Sequence, residues 1–405
     1  MAKRMNSKLK SKKKIGLVLS GGGIKAAAFH IGVCMALREK GFKFAGGTKD
    51  QVARSMPDDD PKTIRVYVGS SAGAFVASIL AAGYSIESLI SAFEVGVGQK
   101  SRYSEDLSSH LRPIGYRDLF NLNGSGILAS LPNALFAKSL VSGGFETLLK
   151  DKFKINGLFT TSKIEAYLRQ HALSHNEFSQ LGVELFIVST QLNHARKVIF
   201  GNFPETFKTE HTKFVNYAKI SEAVAASTSL PPVYAPYGIK RPDGKKMYFF
   251  DGEIRDTLST HVAADHGADL VISSYSVQPY LYTEEIGSLH KFGIPAIMNQ
   301  ALYQVLQQKI DRHISHQQDV KSIYNAIDGY FKQNNLPDQD REKVLEIIRQ
   351  RVDYKPEVDY IYIHPRGQNY EMFFADHFSL NPVTLEKILR IGFRSAVNVL
   401  RHYDF

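Results

Sequence analysis

Two strand–turn–helix units near the start of the chain, and further β-type runs spread as far as residue 364, predict an α/β protein built on a largely parallel sheet. Ile15-Gly16-Leu17-Val18-Leu19 is a short β-type run that leads into Gly21-Gly22-Gly23, and the residues after it, Ala26 to Arg38, are rich in helix formers. The same grammar returns at Ile64 to Val68, which ends in Gly69 and opens the small-residue helix Ala72 to Ala82. β-branched residues suit a pleated surface, and glycine permits the tight turn that follows it. Consecutive βα units set their strands parallel, with the helices covering the sheet. The chain has 405 residues, of which 43% are apolar and 22% charged, shares that belong to a globular protein and exclude wholesale disorder.

Further strands are expected at Glu184 to Ser189, Lys197 to Phe200, Lys246 to Phe250, Leu270 to Ser273 and Asp359 to His364, so the sheet draws on most of the chain. Arg241-Pro242-Asp243-Gly244-Lys245 is polar and turn-forming and reads as a hairpin tip. Two stretches leave the rhythm. Residues 94–182 hold the apolar, glycine-studded run Leu119 to Leu128 and then Leu131 to Leu140, ahead of an amphipathic helix near Lys163 to Ala172. Residues 293–351 read as helices from Gly293 to His316, Val320 to Lys332 and Gln339 to Arg349, with Pro337 parting the last two. Asn381 as cap and Pro382 in the first turn announce a final helix, with Leu385, Ile388, Leu389 and Gly392 on one side.

The 50 basic and 40 acidic side chains give a net charge of +10, and seven of the basic ones lie in the first 14 residues with no acid among them. The body is therefore almost neutral. Such a block reads as a solvated, disordered arm or as an attachment to anionic membrane, and nothing downstream supports nucleic acid. The apolar stretch Ile15 to Leu37 is not a signal peptide or a membrane span, because it carries the glycine triplet, Lys25 and His30. Cys34 is the only cysteine, which excludes an intrachain disulfide or a cysteine zinc site and points to a reducing, cytoplasmic setting. His313 and His316 stand three apart on a predicted helix, but no acidic or cysteine partner is marked beside them, so no metal and no cofactor is expected.

Gly69-Ser70-Ser71-Ala72-Gly73 is a G-x-S-x-G set between a strand and a helix. A serine on so sharp a turn projects its hydroxyl above the sheet and sits at a helix N-terminus whose amides favour an anion. Ser71, at the centre, is the candidate nucleophile, with Ser70 its structural neighbour. Ser20-Gly21-Gly22-Gly23-Ile24-Lys25 also ends a strand and opens a helix, so its N–H groups are free to cradle an anion. That anion is a dinucleotide pyrophosphate, since Gly21, Gly23 and Ala26 fit G-x-G-x-x-A, or the oxyanion of an acyl transfer; the serine elbow on the next strand favours the second. Asp251-Gly252 follows the run Met247-Tyr248-Phe249-Phe250, which carries a carboxylate to a strand end. The 14 histidines fall in no motif.

The ordered series Ser-Gly-Gly-Gly-x-Lys with His30 and Gly32, Gly-x-Ser-x-Gly extended as Ser71-Ala72-Gly73-Ala74, Ala225-Ala226-Ser227-Thr228-Ser229-Leu230-Pro231, and Asp251-Gly252 resembles the patatin-like phospholipase family. The match runs over Ile15 to Ser91 and Glu184 to Ser274, and more loosely from Asp359 to Leu400. The resemblance implies a three-layer α/β/α fold and a serine lipid acyl hydrolase with a Ser71–Asp251 dyad that needs no histidine. It implies an oxyanion hole at Gly21, Gly22, Gly23 and Ile24, and a lipid substrate at a membrane surface. Lys25 then holds the loop or meets a phosphate. One catalytic domain is expected over residues 15–405 behind a tail of residues 1–14, with 94–182 as a cap or acyl-groove candidate and 293–351 as a helical insertion. Two competing readings are an α/β-hydrolase triad that recruits His266 or His377 behind Asp251, and a catalytically idle lipid-binding scaffold. The chain departs from the family pattern at Ala26, usually glycine, and at Glu253, usually glycine or alanine. A second carboxylate there is expected to raise the pKa of Asp251 by repulsion.

Overall fold

The structure, a computed structural model, describes residues 12–56, 60, 62–94, 111–124, 156–352, 354–367 and 369–405. The chain opens with β1 (Ile15–Leu19), α1 (Gly23–Glu39), β2 (Lys43–Phe44), α2 (Lys49–Ser55), β3 (Thr63–Ser70), α3 (Ala72–Ala81) and α4 (Ile86–Glu94). There follow α5 (Tyr116–Leu119), β4 (Asn121–Leu122), β5 (Phe159–Thr160), α6 (Ser162–Tyr167), β6 (Glu184–Gln191), β7 (Arg196–Phe200), β8 (Phe207–Lys208), β9 (Thr212–Val215) and α7 (Ile220–Ser227). The last part holds β10 (Tyr237–Lys240), β11 (Lys246–Asp251), α8 (Thr260–Asp265), β12 (Leu270–Ser274), α9 (Gly293–Gln333), α10 (Asp338–Val352), β13 (Asp359–Ile363), α11 (Tyr370–Phe374) and α12 (Pro382–Leu400).

The main sheet runs β13-β12-β1-β3-β6-β7-β9-β8, with β2 on β3 and the hairpin β10–β11 joined through β11 to β6. Its centre, from β13 to β6, is parallel, as the two βα units require. Both faces are buried: Leu17, Leu19, Tyr67 and Ile187 pack on one side with α1, α3 and α12, while Val18, Val66, Val68 and Val188 pack on the other with Val262 and Ala263 of α8. The fold is therefore a three-layer α/β/α sandwich, and burial on both faces is why these strands read as continuous apolar runs. Among the outer helices, α1 and α12 approach until a Cβ on Gly392 would come within 2.1 Å of the Phe29 carbonyl oxygen.

The placement of the site rests on one strand edge. β3 pairs with β6 through Ser70 and Val188, and β11 pairs with the same edge of β6 one residue further on, through Asp251 and Ser189. Since β7 holds the opposite edge of β6, β11 continues the line on which β3 ends. Strand residues rise about 3.3 Å each, so two segments 180 residues apart in the chain arrive at adjacent register positions.

Two expectations need correction. α9 is one helix of 41 residues, without a break between His316 and Val320; Gln317, Gln318 and Asp319 contain neither proline nor glycine, and nothing there interrupts the backbone ladder. The basic segment is not a solvated arm up to residue 14. Lys12 pairs with Asp359 at 2.8 Å and Lys14 with Glu184 at 2.7 Å, and the Lys13 and Lys14 N–H groups donate to Asp269. Residues 1–11 lie outside the described residues, as do 95–110 and 125–155 of the groove candidate. Elsewhere the expected elements appear with their ends moved by a few residues, and the hairpin tip closes with Gly244 at φ 80°. Lys163 to Ala172 forms α6 followed by one π-helical turn over Leu168–Ala172. Among the described residues no helix is long and apolar enough to cross a membrane.

Candidate active site

Ser71 caps α3 with φ 51° and ψ −121°, a conformation that side chains other than glycine seldom adopt. Its surroundings hold it there. The Ser71 N–H donates to Ser227 Oγ at 2.8 Å, and that hydroxyl donates in turn to the Val188 carbonyl at 2.5 Å. Gly73 has no room for a side chain, because a Cβ would stand 2.1 Å from the Leu19 carbonyl oxygen. The strained turn lets α3 start directly under the sheet's carboxyl edge, so its first amides face the serine hydroxyl.

Asp251 ends β11 and is 1% exposed. Its N–H donates to the Ser229 carbonyl at 3.0 Å, and its Oδ1 accepts from the Glu253 N–H at 2.9 Å. Burial pushes its pKa up to about 6, while the nearby Ser71 hydroxyl and the hydrogen bond from the Glu253 N–H pull it back. The two side chains singled out in the sequence thus meet. The run Ala225 to Pro231, which carried no assigned role, holds both of them: Ser227 grips the amide of Ser71 and Ser229 that of Asp251.

The glycine loop divides into engaged and open amides. The Gly21 N–H donates to Glu253 Oε1 at 2.7 Å, and the Ile24 N–H donates to the His377 carbonyl at 2.7 Å. The N–H groups of Gly22 and Gly23 meet no acceptor among the described residues. Gly22 sits at φ 132°, a backbone that only glycine adopts freely, and it turns these amides outward at the start of α1. The N-termini of α1 and α3 therefore converge beside Ser71, and their combined dipoles favour negative charge there.

Lys25 is buried. Its Nζ donates to the Met372 carbonyl at 2.7 Å and the Ala375 carbonyl at 3.3 Å, and it lies 5.2 Å from the centre of the Tyr303 ring. Burial lowers its pKa to about 7 against the opposing pull of Asp376. In this way it ties α1 to the end of α11 and so to His377, whose carbonyl stops the glycine loop. His30 is buried with Nε2 at 2.8 Å from the Ser20 carbonyl. A carbonyl only accepts, so Nε2 carries the proton and Nδ1 accepts from the Ser274 hydroxyl at 2.8 Å.

Neither histidine of the triad reading reaches Asp251. His266 follows α8 at the opposite end of the sheet from Ser71, with Nδ1 at 2.8 Å from the Val262 carbonyl and its ring against Phe186. His377 lies near the loop, but its Nε2 pairs with the Tyr303 hydroxyl at 2.7 Å. His313 bonds to the Thr260 hydroxyl, and among the described residues no group of His, Cys, Asp and Glu is arranged to hold a metal.

A small apolar cleft begins at Ser71 and is walled by Phe75, Phe93, Leu119, Leu230, Tyr234 and Phe378. Phe120 stacks on Tyr234 and meets Phe378 edge-on, so the described end of the groove candidate does border the serine. Both carboxyls are raised, Asp251 chiefly by burial and Glu253, to about 8, by burial and then by the Asp251 and Asp256 charges. A serine on a strained elbow, a buried carboxylate beside it, open glycine amides and an apolar cleft thus lie together at one end of the sheet. The family model for patatin-like phospholipases matches residues 17–264, and the chain belongs to the patatin-like phospholipase family, whose members are lipid acyl hydrolases.

Proposed function

We propose that this protein hydrolyses acyl esters of phospholipids or related lipids through Ser71 and Asp251. The observation that supports the reading is the register of β6, which sets the serine turn and the buried carboxylate at neighbouring positions, near enough for the Ser71 hydroxyl to lower the pKa of Asp251. Asp251 takes the proton of Ser71 as Oγ attacks the ester carbonyl, and the charge that grows on the carbonyl oxygen is met by the N–H groups of Gly22 and Gly23. Collapse of the tetrahedral species expels the alcohol, which receives the proton from Asp251, and leaves an acyl-serine. Asp251 then takes a proton from water as the water attacks the acyl group, and release of the fatty acid returns that proton to Ser71. The apolar cleft seats the acyl chain during both steps. A carboxylate in water is too weak a base for this task, and burial of Asp251 raises its basicity toward what the reaction needs. The test is covalent labelling by a fluorophosphonate together with product analysis on mixed phospholipids, galactolipids and triacylglycerol. Labelling that survives Ser71→Ala would refute the assignment.

A further inference from the structure

The carboxyl of Glu253 has a position that the reaction described above leaves unexplained. It is 8% exposed, and its Oε1 accepts the Gly21 N–H directly beneath the nucleophile. A Cβ built on Gly21 would fall 2.5 Å from Glu253 Cγ and 2.9 Å from Ser71 Cβ, so Glu253, the loop and the serine are packed in one stack. Its Oε2 makes no hydrogen bond of ordinary geometry among the described residues, and the group that faces it is the equally unpartnered hydroxyl of Ser70.

Among the described residues the charges that act on this carboxyl are of one sign. From its own turn come Asp251 and Asp256, both acids. β3 contributes the hydroxyl of Ser70, and the glycine loop an amide. The nearby cations are committed elsewhere: Lys309 of α9 donates to the Ile254 carbonyl at 2.8 Å, and Lys197 of β7 pairs with Asp256 at 3.1 Å and with His261. A buried carboxylate with no cation, beside a base that must itself be ionised, would carry a large electrostatic penalty.

We propose that Glu253 is a positioning residue that works as a neutral acid, holding the glycine loop against Ser71 without adding charge, and that its ionisation shuts the site down. This rests on the Ser71–Asp251 reading. As a neutral acid, Glu253 accepts from Gly21 through Oε1 and donates from Oε2 to Ser70. The loop is thereby fixed with the Gly22 and Gly23 amides open. As an anion, it sets a second negative charge against the forming oxyanion and against ionised Asp251. The elevated pKa, about 8, agrees with a group that is neutral through the working range of the base.

The experiment is a pH series of kcat and kcat/KM on a soluble long-chain ester for the full chain, Glu253→Gln and Glu253→Ala, with Ser71→Ala subtracted as background. The unsubstituted protein should lose activity on the alkaline side, by about tenfold at pH 9 if ionisation centres near 8. Glu253→Gln, which keeps an acceptor for Gly21, should hold its plateau within about twofold to pH 9. Glu253→Ala should run at a lower plateau but share the flat alkaline side. Both variants should keep the acid limb set by Asp251. An alkaline limb unchanged in the Gln variant, or in the Ala variant if the first does not fold, would overturn the proposal, since a purely structural part lowers activity equally at every pH. Ester hydrolysis that persists in Ser71→Ala would instead overturn the dyad reading, so the two failures are distinct.

Discussion

Replacing Asp251 with asparagine should abolish hydrolysis and at the same time make the fold more stable. The carboxyl is 1% exposed and its pKa rises from 3.8 to about 6 on folding, chiefly through burial. A carboxyl whose folded pKa lies above its unfolded one binds the proton more tightly when folded, so its ionisation opposes folding. The penalty is absent well below pH 4, grows as pH rises through the window between the two pKa values, and is constant above about 6. At about 1.4 kcal/mol per pKa unit, it amounts to about 3 kcal/mol at pH 7 and about 1 kcal/mol at pH 4.5. Asparagine keeps an oxygen for the Glu253 N–H and removes the charge. Urea denaturation of the two proteins should therefore separate at pH 7, with the asparagine variant the more stable, and draw together by about 2 kcal/mol at pH 4.5. An asparagine variant that is less stable at pH 7, or a gap that does not change with pH, would refute the claim that Asp251 is held as a costly buried base.

Ser71→Ala should remove several orders of magnitude of esterase activity, whereas His266→Ala and His377→Ala, each folded, should stay within about tenfold of the parent; a histidine variant as inactive as Ser71→Ala would restore the triad. Long-chain esters should be cleaved with higher kcat/KM than acetyl esters, because at about 0.8 kcal/mol per buried methylene even a few carbons in the cleft beside Ser71 count. Equal values from two to sixteen carbons would leave that cleft a packing feature only. Deleting residues 2–11, which hold four of the seven basic side chains and spare the docked Lys12 to Lys14, should weaken co-sedimentation with anionic vesicles at low salt and leave turnover of a soluble ester unchanged. Identical binding curves over a salt series would mark the segment as a solvated arm.

Much of this protein is legible in its sequence because the signals are local. A β-branched run ending in glycine and followed by alanines specifies strand, turn and helix through the conformational preferences of those residues, and it places Ser71 on its elbow without reference to anything distant. Asp251 is legible for the same reason, at the end of an apolar run before a glycine. The family resemblance adds that the two belong together, but the physical cause is tertiary: β3 and β11 share one edge of β6, and no property of either segment encodes that register. The amides of the glycine loop are a similar case. Four consecutive N–H groups look alike in sequence, and only the carbonyl of His377 and the carboxyl of Glu253, both more than 200 residues away, occupy two and leave two open. The sequence leaves Lys25 as a loop or phosphate contact, and only α11, closing over it, makes it a buried clamp. Burial decides the electrostatics as well. A carboxylate's pKa depends on the water and charges within a few ångströms of it, and these are settled by which segments the fold packs together, not by the order in which the chain presents them.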